Sequence, residues 1–304
     1  MREPSNIRAE LDAPLRACAR GRALPNIALM RLLSAASAEP EAHRALDVRI
    51  ASTKPGSAAR MRLERLSEIW RRVPSAFGTV ARMNALCGAA GGDCSGLFDA
   101  AARRSPEAGV ALYSFGDAGL LTAATQEVVD QMSRWGILRR PDTVLDLGCG
   151  IGRIAAAIAP RVARVVGVDS SGEMVKLARA RTPTCSNVTI IRGDGTNLAF
   201  FADESFELVL AIDSFPYLVE AQCESAHFDE ISRILKPGGL LLIMNYSYRG
   251  DLARDRSDIG GLARKCALKV LRNGTAGLSL WDGRAFLLRR GKGRDHASRI
   301  SDRT

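Results

Sequence analysis

Two aspartates and a run of glycines stand at the ends of two neighbouring apolar segments. Residues 144–147 read as a short buried strand around Asp146, and three alternating glycines at 148–152 lead into an alanine-rich helix. Glycines let a ligand approach the backbone, and the free N–H groups of a helix N-terminus point at it. The next apolar segment ends in Asp169, where a carboxylate can accept both hydroxyls of an adenosine ribose. The pattern predicts a pocket for a nucleotide-like ligand.

Five short segments, in order, resemble the motifs of the class I S-adenosylmethionine-dependent methyltransferases. They lie at residues 145–152, 166–174, 192–195, 208–215 and 233–240, and the resemblance covers about residues 110–290. It implies an α/β fold, with a doubly wound, seven-stranded, mostly parallel sheet that ends in an antiparallel hairpin. It also implies S-adenosylmethionine as the cofactor.

The elements that must position these segments can be read from the residues themselves. Strand-like apolar runs alternate with helical patterns after residue 140, which is typical of a parallel sheet. A helix is expected at 260–271. Residues 277–281 and 284–288 flank Asp282-Gly283, a strong signal for a two-residue hairpin turn.

The resemblance implies a set of cofactor contacts around the glycine turn and at the ends of the second, third and fourth strands. Asp194 takes the place where an acidic residue meets the adenine amino group, and an aromatic residue before the first core helix packs over the cofactor. The expected contacts are Asp146, Gly148, Cys149, Gly150, Gly152, Asp169, Ser170, Met174, Gly193, Asp194, Gly195, Asp213, Ser214, Phe215 and Tyr113.

Methyl transfer from a sulfonium needs mainly alignment and exclusion of water, which can contribute on the order of 7–11 kcal/mol. A base is required only for a hydroxyl or a protonated amine. The catalytic candidates are Asp213 and Tyr217, after the fourth strand, and His227 on the next helix, where a solvated surface histidine is the competing interpretation. Substrate contacts are expected from Tyr217, Tyr246, Tyr248 and Arg249, because open α/β sheets bind ligands at the carboxyl ends of their strands.

The predicted function is in-line methyl transfer to an oxygen or nitrogen atom of a small molecule. Three alternatives stay open. A nicotinamide-dependent oxidoreductase is disfavoured by the hairpin and by the absence of a Tyr-x-x-x-Lys motif. A methyltransferase acting on RNA or protein would use the basic surface, and a non-catalytic regulator would bind the cofactor without turnover.

Residues 1–105 carry helical periodicity without strand-like alternation, and Pro25, Pro40, Pro55 and Pro74 divide them into short helices. The predicted domains are a helical extension or cap at 1–105, a methyltransferase domain at 106–290 and a basic disordered tail at 291–304. Residues 87–94 are predicted to form a hinge or loop, because glycine and alanine dominate them. Three roles stay open for the extension: it covers the acceptor site, forms a dimer contact or recruits a partner.

The composition limits which partners and which cellular location can be expected. The net charge is +10, with the basic excess at both ends of the chain. Nucleic acid is therefore a possible partner, but it is not favoured, because arginine and alanine enrichment also follows from a GC-rich genome. Seven scattered cysteines indicate reduced thiols without a metal site. With no apolar run long enough to cross a membrane, the expected location is the cytoplasm.

Overall fold

The computed structural model describes residues 4–89 and 94–291, in which a helical N-terminal region precedes an α/β sheet. Residues 90–93 of the predicted hinge and the predicted tail beyond Gly291 lie outside the described residues. The helices of the first region are α1 (Pro4–Ala19), α2 (Pro25–Ala35), α3 (Glu39–Ala51), α4 (Ala58–Arg72), α5 (Ala76–Ala89), α6 (Cys94–Arg104) and α7 (Pro106–Val110).

The N-terminal region is helical, as the sequence predicts, and the four prolines expected to divide it stand at helix starts or between helices, whereas Pro14 lies inside α1. Pro25 begins α2 and Pro40 lies in the first turn of α3, where a missing N–H group leaves no hydrogen bond unmade. The apolar faces of these helices meet in their own core, which includes Leu29, Leu66 and Trp70. This region therefore buries its own apolar surface.

The second region alternates strands and helices. Its elements are α8 (Ala118–Arg134), β1 (Thr143–Leu147), α9 (Arg153–Ile158), β2 (Arg164–Asp169), α10 (Gly172–Arg181), β3 (Val188–Arg192), β4 (Phe206–Ile212), α11 (Phe215–Glu220), α12 (Glu224–Ile234), β5 (Leu235–Met244), α13 (Leu252–Lys265), β6 (Leu268–Thr275) and β7 (Ala285–Arg290). Among the described residues the sheet has seven strands in the order β3-β2-β1-β4-β5-β7-β6. The first five of these are parallel, and β7 is antiparallel to both of its neighbours. The predicted fold class is confirmed.

Helices cover both faces of the sheet and leave one edge open for a site. Separate apolar clusters fill the two faces, so the strands are apolar on both sides, as buried parallel strands are. The carboxyl ends of β1, β2 and β4 meet at one edge, where open α/β sheets bind ligands.

The terminal hairpin exists, but the predicted turn and first strand are wrong. Residues 268–275 form β6, the first strand, rather than the end of a helix at 260–271, and α13 already ends at Lys265. Residues 277–281 are not a strand, because side chains of α8 and α2 take up part of their backbone hydrogen bonding. Asp282-Gly283 is therefore part of a longer connection instead of a two-residue turn.

That connection, residues 276–284, is called the strap here, because it ties the sheet to the helical region. The Glu127 carboxylate on α8 accepts hydrogen bonds from the backbone N–H groups of Ser279 and Leu280, at 2.9 and 3.0 Å. The Asn26 side chain on α2 donates to the Leu280 carbonyl. Arg31 pairs with Asp282 at 2.9 Å. The strap thus bonds to both regions.

In the described part of the chain, no helix has both the length and the apolar character required to cross a bilayer.

Candidate active site

The glycine turn after β1 packs tightly against the end of β4. Gly148 has a φ of 71°, and a Cβ atom placed there would lie 2.3 Å from the Cβ of Ser214. The Ser214 hydroxyl donates to the Leu147 carbonyl at 2.6 Å and holds the two strand ends together. The backbone N–H groups of Gly148 and Cys149 donate to the Val168 carbonyl. The turn is fixed, and only glycine fits at position 148.

Gly152 has a different role from the one predicted. It does not line the cavity, so the prediction of a cofactor contact is not supported. A Cβ atom at Gly152 would lie 3.0 Å from the Cβ and 3.1 Å from the Cα of Ala178 on α10. This glycine therefore lets α9 and α10 approach each other, and it shapes the site only through packing.

Asp169 joins the glycine turn to the start of α10. One carboxylate oxygen accepts from the Gly150 N–H at 2.8 Å and the other from the Ser171 N–H at 2.9 Å. Burial raises the pKa of Asp169, although these backbone hydrogen bonds oppose the rise. Each oxygen retains a lone pair, so the carboxylate can still accept two hydrogen bonds from a ligand.

Asp146 is the clearest sign of the kind of ligand that the site suits. The side chain is 1% exposed, and its Oδ2 atom has no hydrogen-bond partner among the described residues. Desolvation raises the pKa of Asp146 to about 7, against the opposing positive charge of Arg153. A buried carboxylate oxygen without a donor is costly, so a cationic or hydrogen-bond-donating group is the complementary ligand.

These groups line one cavity of about 370 Å³, a size typical of small-molecule sites. Twelve of the fifteen predicted cofactor contacts reach it, namely Asp146, Gly148, Cys149, Gly150, Asp169, Ser170, Met174, Gly193, Asp194, Gly195, Asp213 and Ser214. Burial raises the pKa of the Cys149 thiol, which agrees with a packing role rather than a nucleophilic one. The predicted catalytic candidates Asp213, Tyr217 and His227 line the same cavity.

Asp213 is held at the end of β4 by two donors. It has a left-handed φ of 63°, rare for a residue with a side chain. Its Oδ1 accepts from the Asn245 amide at 2.8 Å and from the Tyr248 hydroxyl at 3.1 Å. Protein surrounds the carboxylate although it faces the cavity, and this desolvation raises the pKa of Asp213 to about 6. The group is a fixed carboxylate that titrates close to neutral pH.

His227 is buried rather than solvated, which rules out the surface interpretation. It is 1% exposed, and its Nδ1 lies 3.0 Å from the Cys223 carbonyl oxygen.

Tyr217, on α11, packs edge-on against Phe98 with ring centroids 4.9 Å apart. Desolvation raises the pKa of Tyr217, so its phenol is neutral at physiological pH.

The wall formed by α6 was not predicted from the sequence. Cys94, Ser95 and Phe98 line the cavity, and the Ser95 hydroxyl donates to the Ser170 carbonyl at 3.2 Å. Asp99 accepts from the Ser171 hydroxyl and, at 3.0 Å, from the Glu173 N–H, which fixes α6 to the start of α10. No local sequence signal places these residues in the site, because the contact of Asp99 with α10 joins segments more than 70 positions apart.

Two predicted cofactor contacts belong to the core instead. Phe215 is fully buried between Phe228 and Tyr246, with ring centroids 5.5 and 5.7 Å away. Tyr113 is 5% exposed and stacks beside Trp281 of the strap at 6.0 Å. Neither lines the cavity, because neighbouring aromatic rings hold both side chains in the protein interior.

Of the predicted substrate contacts at the end of β5, none lines the cavity, and only one approaches it. Tyr246 is 1% exposed and packs in the core, so it does not reach the cavity. Arg249 lies outside the cavity as well, because Asp255 and Asp258 bind its guanidinium at 2.9 and 2.7 Å. Tyr248 is not a lining residue, and only its hydroxyl approaches the site, through Asp213.

The comparisons with known proteins identify the central segment. Residues 144–239 match the family model described as a methyltransferase domain. The 2-methyl-6-phytyl-1,4-hydroquinone methyltransferase of Synechocystis sp. is 31% identical over 129 residues, which are 41% of this chain and 39% of that protein. The demethylmenaquinone methyltransferase of Clavibacter sepedonicus is 35% identical over 106 residues, 35% of this chain and 42% of that protein.

Residues 144–239 are therefore similar to a methyltransferase domain. This confirms the resemblance drawn from the sequence. The chain spans less than half of the length of these curated relatives. Among solved structures, the chain is similar to the magnesium protoporphyrin IX methyltransferase of Synechocystis with bound S-adenosylmethionine. The superposition covers 57% of this chain and 81% of that protein, at 19% sequence identity and a TM-score of 0.45.

The residues of the methyltransferase domain fit the cofactor of its family. The unpartnered Asp146 oxygen suits a positively charged group, and Asp169 retains lone pairs for a ribose diol. Asp194 lines the cavity, and the backbone N–H of Thr196 holds its carboxylate and lowers its pKa. Within residues 4–89 and 94–291, no group of three or more His, Cys, Asp or Glu is arranged to hold a metal ion.

The Asp146→Asn variant of the domain is expected to be more stable than the wild type without cofactor at pH 8, and to bind S-adenosylhomocysteine more weakly. The folded pKa of about 7 exceeds the ordinary value of 3.8, so the folded wild type loses stability as the pH rises from about 4 to about 7. The uncharged amide of the variant avoids this loss. The stability gain is measured as the difference in melting temperature between the variant and the wild type at pH 4 and at pH 8, where 1 kcal/mol corresponds to roughly 2–4 °C.

Asp47→Asn, on the exposed face of α3, is the matched control, for which we expect no pH-dependent gain. An Asp146→Asn protein that melts at the wild-type temperature at pH 8 would show that Asp146 is not a strained carboxylate.

Proposed function

We propose that this chain transfers a methyl group from S-adenosylmethionine to an oxygen or nitrogen atom of a small, uncharged molecule. The observation that carries the proposal is a single cavity lined both by the glycine turn with Asp169 and by Asp213, Tyr217 and His227. Cofactor-binding and acid–base groups thus share one enclosed space. The relatives named for a phytyl hydroquinone and for demethylmenaquinone are consistent with a small acceptor.

The cofactor supplies a methyl group already activated on a positively charged sulfur. Asp146, Asp169 and Asp194 are the residues proposed to hold it, through charge and through hydrogen bonds to its hydroxyl and amino groups. The protein then has to align the acceptor and exclude water. Phe98 and Tyr217 form the apolar wall for this purpose, and Asp213 presents a fixed carboxylate beside it.

The charge of the cavity favours a small acceptor over a nucleic acid. Four aspartates line it, Asp146, Asp169, Asp194 and Asp213, against the one arginine Arg153. A phosphate backbone entering this space would meet like charge. A separate groove contains Arg139, Arg272 and Arg289, but it lies where β1 and β5 begin, at the opposite edge of the sheet. This basic groove therefore does not lead into the cavity.

Transfer of radiolabelled methyl from S-adenosylmethionine into a fractionated cell extract tests the proposal, with nuclease and protease controls. Label in the low-molecular-weight fraction is expected. Label that nuclease or protease removes would favour an RNA or protein substrate instead. Binding of S-adenosylhomocysteine without any transfer would favour a non-catalytic regulator.

The Asp213→Asn variant is expected to lower kcat by about 100-fold, because the variant loses a fixed carboxylate charge that stabilises positive charge developing in the cavity when a base takes the acceptor proton. The amide oxygen can still accept from Asn245 and Tyr248, so the variant removes charge while it keeps the local hydrogen bonds. Since the pKa of Asp213 is about 6, the wild-type rate should rise with pH through that value, and the variant should lack this rise.

Asp203→Asn, outside the cavity, serves as the control and should retain the wild-type rate. Full activity in Asp213→Asn would remove Asp213 from the methyl-transfer site.

The same proposal includes the organisation of the chain. Residues 1–105 are proposed as an extension that caps the site, and 106–290 as the methyltransferase domain. A cytoplasmic location and dimerisation through the N-terminal helices complete it. Val48 on α3 and Met61 on α4 are 68% and 63% exposed, which supports an apolar contact there. Analytical ultracentrifugation of the wild type and of Met61→Glu tests the dimer, because a charge placed in this contact should shift the sedimenting species from dimer to monomer.

A further inference from the structure

The hydrogen bond of His227 fixes which ring nitrogen carries the proton. A backbone carbonyl oxygen only accepts, so Nδ1, 3.0 Å from the Cys223 carbonyl, must be the donor. In the neutral imidazole the other nitrogen, Nε2, then holds a lone pair. Because the side chain is 1% exposed and lines the cavity, this lone pair belongs to a buried base.

The part of the cavity lined by α6, by α11 and by the segment before His227 is mostly apolar. Its lining residues are Cys94, Phe98, Tyr217, Leu218, Ala221 and Cys223. Neither lysine nor arginine is among these residues, and the Phe98 and Tyr217 rings stand nearly perpendicular, at 81°. Such a space suits a neutral planar ring, because a charged acceptor would lose its hydration without a counter-charge.

We propose that the acceptor is a neutral aromatic compound bearing a hydroxyl group, and that Nε2 of His227 removes the hydroxyl proton. This inference rests on the proposed methyl transfer. The hydroxyl oxygen bonds to the methyl carbon while the carbon–sulfur bond breaks, and its electron pair stays on sulfur. The proton passes to Nε2, and the imidazolium later releases it to water.

The difference in acidity between acceptor and base favours a phenol over an aliphatic alcohol. A phenol such as the tyrosine side chain has a pKa of about 10, and imidazole has one of about 6.5. An alcohol, close to water at about 15.7, is far less acidic. Proton transfer to a histidine is therefore effective for a phenol and ineffective for an unactivated alcohol.

The His227→Asn variant separates the base from its structural role. The asparagine amide can still donate to the Cys223 carbonyl, as Nδ1 does, but it presents no basic nitrogen in place of Nε2. With 2-naphthol as acceptor, the variant should lose 10²–10⁴-fold in kcat/KM. With 4-nitrophenol, which ionises without help near neutral pH, the loss should be less than about 10-fold. His43→Asn, on α3, is the matched control with no expected loss.

Two further readouts do not depend on turnover. Calorimetric titration of 2-naphthol into the complex with S-adenosylhomocysteine should show binding to the wild type. The chain has three histidines, so comparison of ¹⁵N spectra of wild type and His227→Asn assigns the His227 signals. An unprotonated Nε2 that shifts on addition of 2-naphthol is expected.

Equal losses with both phenols would make His227 a structural residue and overturn the proposal. A protonated Nε2, or wild-type transfer to aniline and not to 2-naphthol, would do the same. If S-adenosylhomocysteine binds but no phenol is methylated, the acceptor class is wrong while cofactor binding stands. If S-adenosylhomocysteine itself does not bind, the proposed methyl transfer fails.

Discussion

The Asp169→Ala variant is expected to bind S-adenosylhomocysteine at least about 100-fold more weakly than the wild type. Two effects add here. The carboxylate can no longer accept ligand hydroxyls, and charge-assisted hydrogen bonds of this kind contribute roughly 1.5–3 kcal/mol each. The Gly150 and Ser171 N–H groups also lose their acceptor, so the glycine turn and the start of α10 are no longer held together.

Calorimetric titration at 25 °C measures this effect, and circular dichroism verifies the fold. Asp117→Ala is the matched control, because Asp117 also accepts from a backbone N–H, that of Leu120 at 2.7 Å, at the start of α8 outside the cavity. The control should lose about 1 kcal/mol of stability and keep its affinity. Wild-type affinity in Asp169→Ala would mean that the ribose does not lie beside this residue.

The Gly148→Ala variant is expected to lose roughly 2–5 kcal/mol of unfolding free energy. About 1–2 kcal/mol comes from a Cβ atom at a left-handed φ, and a further 1–3 kcal/mol from overpacking against Ser214. The melting temperature should fall by about 10 °C. Because Ser214 is tied to the Leu147 carbonyl, the neighbour cannot move aside without breaking that bond.

Two further variants separate the backbone strain at position 148 from the steric clash with Ser214. Gly136 has a similar φ of 65°, with no atom within 4 Å of an added Cβ, so Gly136→Ala should show only the conformational loss. Ser214→Gly removes the clashing Cβ atom but also the hydrogen bond to the Leu147 carbonyl, so the loss in the double variant should be smaller than the sum of the losses in the two single variants. If Gly148→Ala and Gly136→Ala have the same melting temperature, the close approach of the two strand ends is not the reason why position 148 requires glycine.

The sequence predicts the cofactor side of the site well, because its determinants are local. Gly148, Gly150, Asp146 and Asp169 each stand within a few residues of a strand end, and the period of a strand and the start of a helix determine where they point. These positions follow from the chain without knowledge of distant contacts.

The acceptor side depends on contacts between distant segments, and here the sequence was insufficient. Tyr246 and Tyr248 are two residues apart after the same strand, yet one packs in the core and the other bonds to Asp213. Only the packing of Phe215 and Phe286 around Tyr246 decides between them. Phe98 reaches the cavity because Asp99 bonds to α10, a contact between residues more than 70 positions apart. No local pattern contains that information.

The strap has a consequence for how the protein is made. Asn26 and the Leu280 carbonyl that it contacts are separated by 254 residues, and Glu127 lies 153 residues before Leu280. At about 5–20 residues per second of synthesis, the helical region emerges long before its partner exists. During that interval the Asn26 and Glu127 side chains have no Leu280 to bind, and Trp281 has not yet packed beside Tyr113. A nascent chain can therefore join α6 to α10 through Asp99 early, but the contacts that the strap makes with α2 and α8 form only when synthesis is nearly complete.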